Sequence, residues 1–328
     1  MVYALTKVKT YGYTPLMTNA HTDNRLLAIA CILGGVGLAS TQDAIVKSMS
    51  SGYPAYEALT LRCIGSLPVL LAILLHQGGF GMLRTTLGGR IFVRGLILGF
   101  AYLCFVMAIA AMPIANAVAI YFTMPFFVAG LAGPMLGERV RIHRWLAIIA
   151  GFIGVLIMVR PGVSVFEPAA IFALLSALGY AVGQMLGRPI SQLVPPIVIS
   201  IWQNAIYLGI GLVMAVIFNV FDFGHFTHPS MVFLSRPFAM PHLGDGAIML
   251  GSGILAAFGM LLFVNAYKHA ETNFVAPFEY SSMVWAVSFG LLVFNDFPDA
   301  YTWIGAAVVV IAGLLMIWRD RQLDRAGV

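Results

Sequence analysis

The residues of this sequence best suited to chemistry are charged side chains inside long apolar runs. Asp43 and Lys47 lie four residues apart in one run, Glu57 and Arg62 lie in the next, and Glu279 lies in a run near the C-terminus. A charge inside a bilayer is costly, so each of these residues indicates a functional site. Arg62 suits a carboxylate, phosphate or carbonyl of a ligand, and the carboxylate of Glu279 suits uptake and release of a proton.

Structural roles are the alternative at these positions. Asp43 and Lys47 share one face of a helix, so they can neutralise each other near a membrane surface. Either Asp43 or Glu57 can hold Arg62 in an ion pair. An Arg62 with such a partner would be a structural residue, whereas an Arg62 without one would be available to a ligand.

Aromatic side chains occur in the same runs as the charges. A flat ligand can stack on such rings, whereas rings at the membrane surface or in the core have structural roles. The two interpretations are both open from the sequence. The residues concerned are Tyr102, Tyr121, Tyr180, Trp202, Tyr207, Tyr267, Tyr280 and Trp285.

The composition places these residues in a membrane protein. Of 328 residues, 60% are hydrophobic and 9% are charged, and the mean hydropathy is +0.93, whereas soluble domains carry about 25% charged residues. The apolar runs are about 20 residues long and do not alternate, which predicts an all-α integral membrane protein. Pro68, Pro125, Pro134 and Pro277 lie within the apolar runs and predict bends. The ten predicted transmembrane helices are 26–48, 54–76, 91–111, 114–136, 145–160, 166–187, 196–219, 246–267, 273–294 and 300–318.

The distribution of Lys and Arg predicts the orientation in the membrane. With the N-terminus in the cytoplasm, fourteen of these residues lie on the cytoplasmic side, and only Lys47, Arg160 and Arg236 lie on the other. Both termini are therefore predicted to be cytoplasmic. The residues before Arg25 hold no apolar core or cleavage site, so we expect no signal peptide, and Met17 is an alternative start.

Several function classes are disfavoured by the motifs that this sequence lacks. It has no Walker sequence, nucleophile elbow or HExxH run, so we expect neither an ATP-driven pump with its own motor nor an enzyme, and no cofactor. His225 and His228 have no acidic or cysteine companions, which argues against a metal site. The basic residues are scattered over the loops, which argues against a nucleic-acid surface.

The second half of the chain repeats the first. An offset of 158 residues aligns the later helices without a gap, an offset of 141 aligns the earlier ones, and the 17-residue difference falls in Asn219–Asp245. Each copy therefore contains five helices, and an odd number predicts inverted topology. The predicted boundaries are a tail at 1–24, one repeat at 25–160, the other at 161–319 and a tail at 320–328. Residues paired by the first offset include Gly95 with Gly253, Phe100 with Phe258, Glu138 with Asp296, Trp145 with Trp303 and Met158 with Met316, and the second pairs Lys47 with Arg188.

The copies agree at packing residues and differ at polar ones. Such differences suit one asymmetric ligand in a central cavity between the copies. For Glu279 the alternative is a structural ion pair with Lys268. The differing pairs are Asp43 with Gln184, Arg62 with Gln203, and Tyr121 with Glu279. The predicted substrate-binding residues are Arg62, Glu279, Asp43, Tyr121, Gln184, Gln203, Trp202, Tyr180 and Tyr280, with no catalytic or metal-binding residue.

A series of motifs between residues 136 and 162 resembles a known family. Leu136-Gly137-Glu138-Arg139 is followed by Trp145, by Gly151-Phe152-Ile153-Gly154-Val155 and by Arg160-Pro161-Gly162. Together with ten helices in two halves, these motifs resemble the EamA type of the drug/metabolite transporter superfamily. The resemblance implies a secondary carrier that moves small organic metabolites through a cavity between inverted halves.

Two further motifs are similar to one subgroup of that superfamily. Asp43-Ala44-Ile45-Val46-Lys47, followed by Tyr53-Pro54 and Arg62, resembles the bacterial riboflavin and S-adenosylmethionine carriers, as does Ala276-Pro277-Phe278-Glu279-Tyr280. The resemblance strengthens the assignment of Asp43, Arg62 and Glu279. It implies a multi-pass protein of the bacterial inner membrane.

The sequence predicts a carrier coupled to a proton or another gradient, acting as a monomer or a homodimer. Riboflavin-like or nucleoside-like substrates are favoured by the resemblance and the aromatic residues. An exporter of amino acids or drugs is the alternative within transport, and a membrane sensor that does not transport is the alternative of another class. The direction of transport is open.

Overall fold

The computed structural model describes residues 24–136, 142–160, 168–221, 226–269 and 275–325. Within these ranges the chain is helical, with short connections, and the three cysteines are buried and unbridged. Several predictions fall outside the described part. They concern the tail before residue 24, Met17, the motif residues 137–141, the turn at 161–167, His225, and the side chain of Lys268.

Twelve α-helices are defined in the described residues, together with 3₁₀ turns at Phe80–Leu83 and Ala276–Ser281. The helices are α1 Arg25–Met49, α2 Ala55–Gln77, α3 Gly88–Ala111, α4 Ile114–Tyr121, α5 Met124–Leu136, α6 Ile142–Val159, α7 Ala169–Ser191, α8 Pro196–Val220, α9 Pro229–Ser235, α10 Leu243–His269, α11 Ser282–Phe294 and α12 Ala300–Arg325.

Ten segments of the described chain are long and apolar enough to cross a membrane, which confirms the predicted number. The fifth was predicted to begin at residue 145, and its described part already includes the helical residues from Ile142. Its first turn is more polar than a sliding apolar pattern can detect, because it contains His143 and Arg144.

Two of the ten spans are interrupted near two of the four prolines that predicted bends, whereas Pro68 lies inside the continuous helix α2 and Pro134 inside α5. The fourth span breaks between α4 and α5. Here the hydroxyl of Thr123 donates a hydrogen bond to the carbonyl of Ile120, and the carbonyl of Thr123 accepts the first backbone hydrogen bonds of α5. Pro125 lies in the first turn of that helix, where a missing N–H does no harm. The ninth begins as the 3₁₀ turn that contains Pro277 and continues as α11.

The most extensive helix contacts join the first half of the chain to the second. Helix α1 packs along α10, α3 packs along α7, and α6 packs along α12, while α2 lies between α8 and α10. A hydrophobic core of residues from both halves fills the centre, from α1 to α12. The two halves of the chain therefore pack extensively against each other.

Glycines permit the closest of these approaches, between α2 and α10. A Cβ atom on Gly65 would lie 1.9 Å from the carbonyl oxygen of Leu250, and one on Gly253 would lie 2.0 Å from the carbonyl oxygen of Arg62. Both distances are far below van der Waals contact, so the two backbones touch here. This contact fixes the position of the α2 segment that carries Arg62.

Gly253→Val tests this contact. We expect the substitution to lower the free energy of unfolding by about 1–3 kcal/mol or more, because the added atoms overlap backbone that cannot move aside. Gly251→Val, two residues away on the same helix, is the matched control, since no atom lies within 4 Å of its added Cβ. The measurement is thermal unfolding of purified protein in detergent. Equal midpoints for the two variants would contradict the close approach.

Candidate functional site

The guanidinium of Arg62 is packed between tyrosine rings in the interior of the bundle. Its Cζ lies 4.6 Å from the ring centroid of Tyr102 and 5.9 Å from that of Tyr207. Both distances lie within the range of cation–π attraction. Within the part of the chain that the structure describes, the buried Nε and Nη1 atoms of Arg62 have no hydrogen-bond partner. The guanidinium is therefore held in place by rings and retains donors for a ligand.

The predicted pairing of Asp43 with Lys47 is wrong. Lys47 Nζ lies 2.8 Å from Asp296 Oδ2 and donates a second hydrogen bond, of 2.9 Å, to the carbonyl of Met112. The lysine points along its helix toward the membrane surface, where a carboxylate from the other half of the chain meets it. Asp43 stays in the interior, where the charge of Arg62 acts on it.

Neither Asp43 nor Glu57 pairs with Arg62, so the structural alternative for the arginine is also wrong. Glu57 is buried at the first turn of α2, where one oxygen accepts a 3.4 Å hydrogen bond from the backbone N–H of Ala239. The other oxygen has no partner among the described residues. Arg62 and Asp43 interact only through space.

Four tyrosines from four helices form the walls around these two charges. The rings of Tyr102 and Tyr207 stack with centroids 5.7 Å apart, and those of Tyr121 and Tyr180 meet edge to face at 5.4 Å. The charge of Asp43 acts on Tyr102, Tyr121 and Tyr180, so the carboxylate lies near these rings. We call Asp43, Arg62, Tyr102, Tyr121, Tyr180 and Tyr207 the central site.

Gln203 joins the central site through Tyr207. Its Nε2 donates to the Tyr207 hydroxyl at 3.3 Å, and its Oε1 accepts from Arg94 Nη1 at 3.2 Å. Arg94 Nε in turn donates to the carbonyl of Gly183 at 3.1 Å. This chain of hydrogen bonds orients the ring that lies beside Arg62.

Gln184 and Trp202, which were also predicted to bind substrate, lie away from the central site. Gln184 is exposed and lines a pocket of about 240 Å³ near Arg94 and Arg188. Trp202 donates its ring N–H to the carbonyl of Leu83 at 3.3 Å, beside the 3₁₀ turn that precedes α3. Gln184 was assigned to the substrate site from the repeat alignment and Trp202 from the aromatic composition. Neither criterion shows the direction of a side chain.

Glu279 and Tyr280 form a second cluster that adjoins the central site. A carboxylate oxygen of Glu279 accepts a hydrogen bond from the hydroxyl of Tyr267, a partner that the sequence did not reveal. The charge of Glu279 also acts on Tyr121 and Tyr280. The ring of Tyr280 packs 4.7 Å from that of Phe122, and its buried hydroxyl has no partner in the described ranges.

The bundle has two polar ends, which we name by one residue each. The Lys47 face is the end that holds Lys47, Met112 and Asp296, and the Arg94 face is the end where α3 begins. Ion pairs and hydrogen bonds on the Lys47 face link the first half of the chain to the second. They are Lys47 with Asp296, Arg160 with Asp299, Tyr53 with Asp245, and Arg236 with the carbonyl of Ser50.

Two of these links shift the pKa of a group at the membrane surface. Partial burial tends to raise the pKa of Asp299, but hydrogen bonds from Thr302 and the charge of Arg160 outweigh it and hold the pKa below its usual value. The link to Arg160 is therefore present at neutral pH and is lost as pH falls through that lowered pKa. The hydrogen bond to Asp245 raises the pKa of Tyr53, so its hydroxyl stays protonated at neutral pH.

A double-mutant cycle on Lys47→Met and Asp296→Asn tests the link that replaces the predicted pair. We expect a coupling free energy of about 0.5–3 kcal/mol in thermal or denaturant unfolding, because the two side chains are in contact and Lys47 is only 13% exposed. Lys47→Met combined with Arg90→Gln, on the other face, should be additive. Additive effects of Lys47→Met and Asp296→Asn would contradict a stabilising interaction between these two side chains.

Ten apolar helices around a buried site that carries charges and aromatic walls are the features of a membrane transport protein. The chain belongs to the EamA-like transporter family, whose sequence profile matches residues 26–160 and 167–319. This finding confirms the resemblance seen in the sequence. The protein is thus a transporter of small metabolites and not an enzyme.

Individual relatives carry different cargoes. The chain is 28% identical to a riboflavin transporter of Rhizobium johnstonii over 76% of this chain and 77% of the relative. It is 26% identical to an S-adenosylmethionine uptake transporter of Rickettsia bellii, over 86% of this chain and 90% of the relative. It is 27% identical to a pseudopaline exporter of Pseudomonas aeruginosa, over 83% and 89%. A solved crystal structure has the same fold, with a TM-score of 0.57 and 15% identity over 93% of this chain and 99% of that chain.

Proposed function

We propose that the protein is a secondary active carrier that moves a small ring-bearing metabolite across the bacterial inner membrane by alternating access at the central site. The observation that carries the proposal is Arg62, whose buried guanidinium lies among tyrosine rings with two donors unused by the described residues. An intramembrane charge in that state is suited to a ligand group that arrives and leaves.

The two halves, 25–160 and 161–319, are inverted repeats in this proposal. The sequence offsets relate α1 to α7 and α3 to α10. The packing of α1 on α10 is therefore equivalent by the repeat to the packing of α7 on α3. Helix α6 is related to α12, and these two pack on each other, as elements beside a two-fold axis do. An axis of this kind within the membrane plane supports a binding site between the halves.

The Lys47 face is the periplasmic side in this proposal, and both termini are cytoplasmic. The excess of Lys and Arg on the other side supports the orientation. The links between halves on the Lys47 face must break for a substrate to enter or leave there. Access from the Arg94 face would be lined by Arg94, Gln184 and Arg188, which border the pocket on that side.

Glu279 carries the coupling proton in this proposal. Its carboxylate is hydrogen bonded to Tyr267 and acts on Tyr121, which belongs to the central site. A change of charge on Glu279 would therefore change the electrostatic environment of the substrate beside Tyr121. This placement supports exchange of a proton for the substrate, in either direction.

The named cargoes of the relatives favour a substrate with a flat ring. Riboflavin and S-adenosylmethionine both contain fused heteroaromatic rings, which suit the tyrosine walls of the central site. Export is the second candidate function, because a relative of similar identity is a pseudopaline exporter. The experiment therefore has to measure both directions.

Flux of labelled riboflavin, adenosine and S-adenosylmethionine into and out of proteoliposomes tests the proposal. We expect saturable flux of at least one compound, reduced at least about tenfold by Arg62→Gln, since hydrogen bonds to a charged group are worth about 1.5–3 kcal/mol. Glu279→Gln should abolish the response of flux to a pH gradient. Arg90→Gln, exposed at the start of α3, is the control and should transport normally.

Unchanged flux and unchanged pH response in both folded variants would contradict the assignment of the site. Saturable binding of a compound without any flux would instead support a sensor.

Cysteine labelling in intact cells tests the orientation. Gly52→Cys and Gly89→Cys are matched, because both glycines are exposed, lie at opposite ends of the bundle and have no atom within 4 Å of an added Cβ. In a background without the three native cysteines, we expect a membrane-impermeant maleimide to label only the Gly52→Cys variant. Labelling of only the Gly89→Cys variant would reverse the proposed topology.

A further inference from the structure

Two opposite charges share the central site without touching. Asp43 on α1 and Arg62 on α2 interact through space, yet they form neither an ion pair nor a hydrogen bond with each other. Each charge also acts on Tyr102 and Tyr180, so both lie near the same two rings. The arrangement is a positive pole and a negative pole beside one set of tyrosine rings.

The separation is a feature of the packing. One turn along α1, Lys47 forms an ion pair of 2.8 Å with Asp296. Opposite charges that only neutralise each other are thus in direct contact elsewhere in this bundle, unlike Asp43 and Arg62. Arg62 is kept from such a contact because its guanidinium rests on Tyr102 and its backbone rests against Gly253. A buried charge without a contacting partner destabilises a folded protein, which favours a role in which a ligand supplies the missing contacts.

We propose that the central site recognises a zwitterionic head group, whose carboxylate binds Arg62 and whose ammonium binds Asp43. The inference rests on the proposed carrier function and narrows its substrate class. Carboxylates are the preferred planar acceptors of a guanidinium, and an ammonium supplies the donors that the Asp43 carboxylate lacks. A zwitterion satisfies both poles and adds no net charge to the membrane interior.

We infer that the substrate also carries a ring, because tyrosine rings surround the two charges. The stacked pair Tyr102 and Tyr207 and the edge-to-face pair Tyr121 and Tyr180 present ring surface on helices α3, α8, α4 and α7. The substrate class is thus an α-amino acid group joined to a flat ring. Among the cargoes named for relatives, S-adenosylmethionine has both parts, whereas riboflavin has a ring but no ammonium or carboxylate.

Binding to the full-length protein in lipid nanodiscs tests this inference with probes that differ by one group. S-adenosylhomocysteine and 5′-methylthioadenosine share a nucleoside and differ in the amino acid group. Tryptophan, tryptamine and indole-3-propionate share a ring and carry both charges, the cation alone or the anion alone. We expect at least one of the two zwitterions to bind at least about tenfold more tightly than its partners that lack a charge, because each lost contact involves a charged group.

Variants of the two poles separate recognition from general damage. Arg62→Gln should remove the preference for the zwitterion over tryptamine, and Asp43→Asn should remove the preference over indole-3-propionate. The double variant removes both charges of the central site together, so neither pole is left without its opposite, and it is the variant to use if a single variant is unstable. It should bind 5′-methylthioadenosine at least as well as S-adenosylhomocysteine.

The outcomes distinguish this inference from the function on which it rests. Riboflavin or 5′-methylthioadenosine binding as tightly as every zwitterion, with saturable flux, would overturn the zwitterion site and leave the carrier intact. Absence of zwitterion binding would overturn the inference as well. Absence of saturable flux for every neutral and charged ring compound would overturn the carrier itself.

Discussion

The central constraint on this structure is a guanidinium that is held inside the membrane with no anion of the described residues in contact with it. Arg62 is kept among rings by its own helix, which a glycine contact presses against α10, and by Tyr207, which Gln203 orients from the neighbouring turn. Hydrophobic packing alone would favour an apolar residue at this position. The rings around it therefore hold a charge whose buried Nε and Nη1 donors have no partner among the described residues, a state suited to a ligand that arrives and leaves.

The same packing explains how the two halves can act as one carrier. The main helix contacts pair α1 with α10, α3 with α7 and α6 with α12, and every pair takes one helix from each half. Motion of one half against the other would change these contacts together. The polar links on the Lys47 face lie across the same boundary and are made by groups near the membrane surface, where water can replace them when they break. Links of this kind can hold one conformation without making it permanent.

The sequence was sufficient for the helical class and the number of spans because helix formation in a bilayer depends on local properties. Run lengths located ten spans, and Pro125 and Pro277 lie in the two spans that break, whereas Pro68, for which a bend was equally predicted, lies inside the continuous helix α2. The pairing of side chains depended on contacts between distant segments. Lys47 was assigned to Asp43 because they are neighbours on one helix, but its partner lies 249 residues away. The alignment of Glu138 with Asp296 marked an acidic turn without showing which cation meets it.

The central site was predicted only in part, because its side chains come from distant segments of the chain. Asp43, Arg62, Tyr121 and Tyr180 were selected, and the structure brings them together, whereas Gln184 and Trp202 face elsewhere. Tyr102 and Tyr207 were recognised only as members of an aromatic set, since composition does not show which rings adjoin a charge. Repeat alignment relates positions on the backbone, and small differences in helix rotation decide where each side chain points.

A structure of the protein with its tightest-binding ring compound would test the central claim most directly. The account predicts that an acidic or carbonyl group of the ligand lies within hydrogen-bonding distance of Arg62 Nε or Nη1, with its ring against Tyr102 and Tyr207. A ligand bound in the pocket beside Arg94, with Arg62 still lacking a polar partner, would contradict it.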